Sequence, residues 1–202
     1  HRDLHSFPTR RSSDLSLSYL SSVYMGLVFI AIGAQQPETA LLMVLTYALA
    51  MAVLVMGAGS IIINVITQDV TQMGGLWGRR PVTGMAMLTG ALALVALPPL
   101  GGFWSMLKLV TGLWLDHRLI LVILVLTVNW TVAFGLARVF GLIFAGEQQQ
   151  MTIRAPEPIW LMVMPMAITT GITLHLPLIL SALGLLPRSE EHTSELQSPM
   201  YL

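Results

Sequence analysis

A single lysine inside an apolar stretch is the first feature of this sequence that could carry chemistry. Lys108 is the only lysine of the chain, and it follows a Pro-Pro and Gly-Gly motif within residues 98–102. A charged side chain inside a membrane span costs about 2.5–3.5 kcal/mol on insertion scales, so such a residue is by default a functional candidate. The alternative is that Lys108 extends its side chain to the membrane surface, since Asp116 follows eight residues later.

Three other polar residues lie within apolar stretches. Arg138 could belong to a proton path, or it could reach the membrane surface or have a structural role. His175 is interpreted as a packing histidine near the membrane surface, with a proton relay as the alternative. Asn129 can hydrogen-bond between helices and needs no further role. The central segment contains no Ser–His or paired-carboxylate arrangement, so it does not indicate a self-contained hydrolase.

Composition indicates that lipid surrounds the elements that position these residues. The 202 residues are 55% hydrophobic and 10% charged, whereas soluble domains carry about 25% charged residues. The chain has no cysteine, which excludes disulfides and thiolate metal sites, and its zero net charge does not suggest nucleic-acid binding. Five apolar stretches each approach or exceed the roughly 20 residues of a membrane-spanning helix. They are residues 16–34, 39–65, 83–115, 119–144 and 159–185.

Loop charges predict the orientation of these spans. Strict alternation places loops 66–82 and 145–158 on one face, and that face carries Arg79, Arg80 and Arg154. The opposite face carries only Arg118 in its loops. Since cytoplasmic loops are enriched in lysine and arginine, we expect the first face to be cytoplasmic.

The third span is predicted to be discontinuous. Pro98 and Pro99 remove two backbone donors and clash with the preceding turn, and Gly101 and Gly102 then free the backbone. A broken helix at membrane depth is tolerated where it is buried in protein or lines a polar cavity. In transporters, broken helices mark ion and substrate sites. The alternative is a simple kink at a tight helix crossing.

Both ends of the chain are polar and lack apolar periodicity. Residues 5–14 (HSFPTRRSSD) and 188–198 (RSEEHTSELQS) can be encoded by the flanking adapters of short-read sequencing libraries. We therefore expect residues 1–14 and 188–202 to be translated adapter sequence and exclude them from the fold. Residues 15–187 are then expected to be an internal piece of a longer membrane protein.

The central segment resembles a known family of membrane subunits. The strings GAGS, QDVTQMGGL and ALPPLGGFWS are similar to the antiporter-like subunit 5 of NAD(P)H:quinone oxidoreductases, called NuoL or NdhF, which is related to Na⁺/H⁺ antiporter chains. The resemblance implies an all-α membrane fold of about five transmembrane helices, forming the C-terminal half of the antiporter-like fold with one discontinuous helix. It also implies that the chain is not catalytic alone and serves a proton-translocating complex.

Several positions depart from the pumping members of this family. Their second span carries His, His and Lys at positions that align with Met43, Tyr47 and Met51 here, and their lysine after the break aligns with Met106. The family arginine of the fourth span is retained as Arg138. The resemblance therefore implies a sparser proton path, and we assign it Lys108, Tyr47 and Arg138.

The stretches ITQDVTQMGGLWGRRP and ARVFGLIFAG are most similar to the cyanobacterial NdhF variants of CO₂-uptake complexes. That likeness implies an NdhD-type antiporter-like partner, a peripheral CO₂-hydrating zinc protein and the thylakoid membrane. It also implies that quinone, NAD(P)H or ferredoxin, and Fe–S clusters are bound by other subunits and not by this chain. The alternatives are an ordinary proton-pumping subunit 5 or Na⁺/H⁺ antiporter chain, and a structural membrane subunit without transport.

Overall fold

The structure, a computed structural model, describes residues 12–65, 74–147 and 159–182, and these ranges contain helices and no strands. The predicted all-α class is confirmed. A 3₁₀ turn, Leu76–Gly78, precedes α3, and a π-helical segment, Gly141–Ala145, follows α5. The main helices are α1 Ser12–Gly33, α2 Pro37–Val65, α3 Pro81–Leu94, α4 Gly101–Leu115, α5 Leu119–Phe140 and α6 Trp160–Ala182.

Four of these helices are long and apolar enough to cross a membrane: α1, α2, α5 with its π-helical extension, and α6. The remaining two have 14 and 15 residues. At 1.5 Å per residue they are about 21 and 22 Å long, shorter than a hydrocarbon core of about 30 Å. Together α3 and α4 form the third apolar stretch. The expectation of one discontinuous helix is confirmed.

Helix α2 is the centre of the packing. It contacts α1, α3, α4 and α6, whereas α5 lies at the edge against α4 and α1. The small-residue patch in α2 allows the close approach of α3, because a Cβ on Gly57 would collide with the side chain of Met87. Gly90 of α3 likewise lies against the carbonyl oxygen of Ala50. Small residues therefore set the distance between the broken helix and the central helix.

The connections lie on two sides of the bundle. On the Glu38 side, which we define by residues 34–38 and 116–118, the Arg118 guanidinium donates to the Gly33 carbonyl at 3.5 Å. On the Arg79 side, which we define by residues 74–80 and 141–147, Gly74 lies directly against the carbonyl oxygen of Glu147. The chain therefore alternates sides as predicted, with α3 and α4 counting as one crossing. That the Arg79 side is cytoplasmic stays a prediction.

The two arginines of the Arg79 side have different environments. Arg79 is exposed, whereas Arg80 is fully buried where α3 begins. The Arg80 guanidinium donates to the Ser60 carbonyl at 3.0 Å and to the Ser60 hydroxyl at 3.3 Å. Arg80 thus ties the start of α3 to the last turns of α2. Arg80 does belong to loop 66–82, but the loop charge alone did not indicate its burial.

Several sequence predictions lie outside the described residues. They concern Arg154, residues 1–11 and residues 188–202. Residues 12–14, which we predicted to be adapter-derived, form the first residues of α1. The prediction that the two ends are foreign sequence stays a prediction.

Candidate functional site at the broken helix

Helix α3 ends four residues before the first of the two prolines, and the prolines lie in the segment between α3 and α4. In a continuous helix the amides of residues 98 and 99 would donate to the carbonyls of Leu94 and Val95. Prolines have no amide hydrogen, and each ring clashes with the carbonyl four residues back. Helix α3 accordingly ends at Leu94, and Ala96 adopts a left-handed conformation with φ of 62°.

The two carbonyls deprived of their amide donors find side-chain donors instead. The Tyr24 hydroxyl of α1 donates to the carbonyl of Leu94. The Asn129 amide of α5 donates to the carbonyl of Val95 at 3.2 Å. Helices α1 and α5 therefore supply the hydrogen-bond donors that Pro98 and Pro99 lack.

One of these donors was predicted and one was missed. The interhelical hydrogen bond of Asn129 is confirmed. The hydrogen bond of Tyr24 was not predicted, although a tyrosine in an apolar helix indicates a buried hydroxyl that needs an acceptor. A buried tyrosine hydroxyl usually finds a hydrogen-bond partner, and Tyr24 is only 6% exposed.

The two glycines after the prolines bring the halves of the break close to their neighbours. A Cβ on Gly102 would collide with the carbonyl oxygen of Ala93, the penultimate residue of α3. A Cβ on Gly101 would lie 2.8 Å from a methyl carbon of Leu176 on α6. Any larger residue at position 102 must push α4 away from the end of α3.

A cluster of hydroxyl groups lies beside the break, near the middle of the bundle. The Tyr47 hydroxyl donates to the Ser21 hydroxyl at 2.7 Å, and Ser21 donates to the carbonyl of Leu17 at 3.0 Å. The rings of Tyr47 and Tyr24 stack with centroids 5.4 Å apart. Through this ring contact Tyr47 is linked to Tyr24 and so to the break. Tyr47 is ten residues after the start of α2, which places it about 15 Å along that helix at 1.5 Å per residue.

Lys108 does not point into the break. Its ammonium lies 3.9 Å from the Glu38 carboxylate, and the two side chains are 26% and 90% exposed. At this exposure an ion pair contributes about 0–1 kcal/mol. Met106, in contrast, is buried beside the break and faces Tyr24 and Met43. Lys108 follows Met106 by two residues and so lies about 200° around the helix.

The three residues assigned to the proton path lie at three depths and do not form one cluster. Lys108 lies seven residues before the end of α4, about 10 Å from the Glu38 side, and Tyr47 lies near the centre. Arg138 is exposed in the last turn of α5, about 10 Å before the end of the π-helical segment on the Arg79 side. His175 is exposed on α6, where its Nδ1 lies 2.8 Å from the carbonyl of Gly171.

Comparison with known proteins agrees with this architecture. The family described as "NADH:quinone oxidoreductase/Mrp antiporter, TM" matches residues 15–131, which is more than half of the chain. The chain belongs to this family of membrane subunits. The matched region includes α1 from residue 15 onward, α2 to α4, the break and Asn129.

Two similar proteins are both named subunit 5 of NAD(P)H-quinone oxidoreductase. One, from the organellar chromatophore of Paulinella chromatophora, is 38% identical over 85% of this chain and 28% of its own length. The chloroplast protein of Ranunculus macranthus is 34% identical over 68% of this chain and 20% of its own length. The chain spans less than a third of either relative.

Proposed function

We propose that this chain is part of subunit 5 of an NAD(P)H-quinone oxidoreductase complex and that it moves protons across a photosynthetic membrane. The observation that carries the proposal is the broken helix, whose freed carbonyls are covered by polar side chains in the middle of an apolar bundle. Both relatives named above are subunits 5 of such complexes, one from a chromatophore and one from a chloroplast.

The proposed proton path runs through three residues that lie at different depths of the bundle. Lys108 exchanges protons near the Glu38 side, where its ammonium meets the carboxylate of Glu38. Tyr47 and Ser21 form the central part of the path, where water molecules extend their hydrogen-bonded chain. Arg138 lies toward the Arg79 side and attracts anions or orders water. Water therefore has to connect groups that do not contact each other directly.

The finer proposal is a CO₂-uptake complex of the cyanobacterial type. It is supported by the similar stretches around the break and by Met43, Met51 and Met106 at positions that pumping members fill with titratable residues. In this proposal an NdhD-type subunit and a peripheral zinc protein that hydrates CO₂ are the partners, in a thylakoid membrane. Quinone, NAD(P)H or ferredoxin, and Fe–S clusters belong to other subunits, and this chain removes protons from the hydration reaction.

The second candidate is a structural subunit without transport. It is favoured by the burial of Met43 and Met106, which are 2% and 7% exposed beside the break. In that candidate the broken helix serves only to pack α4 against α2 and α6, and Lys108 only pairs with Glu38.

Substitution of Lys108 in the assembled complex separates the two candidates. Lys108→Met should abolish proton translocation and growth that depends on CO₂ uptake, because no titratable cation remains on α4, while the complex still assembles. Lys108→Arg is the matched control, because it keeps the charge and the Glu38 pair but holds its proton too tightly to release it.

The outcomes are distinct. Loss of translocation in both variants supports a lysine that titrates. Normal translocation in Lys108→Arg together with loss in Lys108→Met assigns Lys108 a role as a fixed charge. Normal CO₂ uptake in an assembled Lys108→Met complex refutes the proton path and favours the structural subunit.

A further inference from the structure

Two buried methionines separate the hydroxyl cluster from the Lys108–Glu38 pair. Met43 lies on α2, five residues after Glu38 and four before Tyr47, so it shares a helical face with Tyr47. Met106 faces it from α4, and both methionines line the space beside the break. Along both helices this apolar layer of two methionines lies at a depth between Tyr47 and the Lys108–Glu38 pair.

The space on the inner side of this layer has the size of one water molecule. Its volume is about 10 Å³, and its lining includes Tyr24, Met43, Thr46, Leu94, Ser105 and Met106. A cavity needs roughly 10–15 Å³ to admit a single water. The cavity is therefore at the threshold of hydration, and a small movement of one lining side chain decides whether water enters.

The polar groups around this cavity favour a molecule that donates hydrogen bonds. The three hydroxyls each donate their proton to a backbone carbonyl: Tyr24 to Leu94, Thr46 to Leu42 and Ser105 to Gly102. Each hydroxyl oxygen keeps a lone pair that can accept. Water or a hydrated proton satisfies such acceptors.

We propose that Met43 and Met106 form a hydrophobic gate, which keeps water in the one-molecule cavity at the break separate from the Lys108–Glu38 pair. Methionine is unbranched and has three rotatable side-chain bonds, so it can move aside without a backbone shift. Apolar constrictions of this kind stop conduction by excluding water. The gate rests on the proposed function, since it regulates passage along the same path.

The test replaces the gate with a short polar side chain and measures passive proton leak. Vesicles that contain the complete complex receive a pH gradient in the absence of an electron donor, and an internal pH dye reports its decay. Met106→Ser should increase the decay rate several-fold, because water then connects the cavity with Lys108. Met43→Thr opens the same layer from α2 and provides a second variant if Met106→Ser does not assemble.

Two controls define the effect. Met106→Leu keeps an apolar side chain of similar size, so its pH gradient should decay at the wild-type rate. Met164→Ser makes the same chemical change on α6 at a methionine that is 45% exposed and away from the break, and its pH gradient should also decay at the wild-type rate.

The result that overturns the gate is an assembled Met106→Ser or Met43→Thr complex whose leak equals that of Met164→Ser. Combining Met106→Ser with Lys108→Met distinguishes the gate from the proposed function. If the added substitution removes the leak, the path runs through Lys108. If the leak persists, the gate stands and the assignment of Lys108 to the path fails.

Discussion

Two of the described helices contain two prolines beyond their first turn, counting α3 and α4 as one, yet only one of them is broken. In α6 the prolines, Pro165 and Pro177, are twelve residues apart and the helix runs from Trp160 to Ala182 without interruption. In the third span Pro98 and Pro99 are adjacent, and the helix stops at Leu94 and restarts at Gly101. Pro81, at the first position of α3, removes no helical hydrogen bond. The number of interior prolines is therefore equal, and their spacing decides the outcome.

The difference follows from the hydrogen bonds that each arrangement removes. An isolated proline frees one carbonyl, and a helix can bend slightly and continue. Adjacent prolines free two successive carbonyls, and the two rings clash with both. In the broken span, Tyr24 and Asn129 donate to these two carbonyls from other helices. The break therefore depends on α1 and α5, whereas the continuity of α6 is a property of α6 itself.

The largest expected effect comes from Gly102→Ala. The new methyl would collide with the carbonyl oxygen of Ala93, so α4 must move and the donors from α1 and α5 lose their alignment. Overpacking typically destabilises a protein by about 1–3 kcal/mol. Because the clash here is with a backbone atom, we expect the loss of stability to reach about 3 kcal/mol or more. We expect little assembled complex in membranes on native gels. Gly171→Ala in α6, where the added methyl meets open space, should assemble normally; equal yields for both variants would contradict the close approach.

A smaller effect is expected from Asn129→Leu. This change keeps the approximate size of the side chain but leaves the part-buried carbonyl of Val95 without its donor. An unsatisfied buried group costs about 1–3 kcal/mol, so the thermal midpoint of the purified complex should fall by several degrees. Thr131→Val, on the same helix but exposed, is the control. An unchanged midpoint for Asn129→Leu would show that the Val95 carbonyl has another partner.

The smallest effect is expected from Pro165→Ala. Because α6 already continues through this residue, the alanine restores an amide donor without changing the path of the helix. We expect normal assembly and no loss of stability, because a proline in a helix interior weakens the helix and alanine favours it. A large loss of assembly would mean that α6 needs its proline for a bend, and the contrast with the third span would weaken.

Local chemistry allowed much of the fold to be predicted. The lengths of the apolar stretches predicted the helices that cross the membrane. The third span was predicted to be interrupted because two adjacent prolines act on their own helix. These are interactions within about four residues, so the sequence contains both partners in one place.

The partners of the break could not be predicted in the same way. Tyr24 lies 70 residues before Leu94, and Asn129 lies 34 residues after Val95. Their meeting depends on how the helices rotate and pack, which periodicity does not determine in helices that are apolar on nearly every face. The burial of Arg80 was missed for the same reason, since its acceptor Ser60 belongs to another helix.

The central claim is that Tyr24 replaces the amide donor that Pro98 lacks, and a double-mutant cycle tests it most directly. The thermal midpoint of the assembled complex is measured for Tyr24→Phe, Pro98→Ala and the combination, with Tyr19→Phe, a tyrosine of α1 that is 68% exposed, as the control in both backgrounds. Tyr24→Phe alone should cost about 1–3 kcal/mol, because it leaves the Leu94 carbonyl unsatisfied. In the Pro98→Ala background the restored amide can donate to that carbonyl, so the loss should be clearly smaller. Equal losses in both backgrounds would contradict the claim.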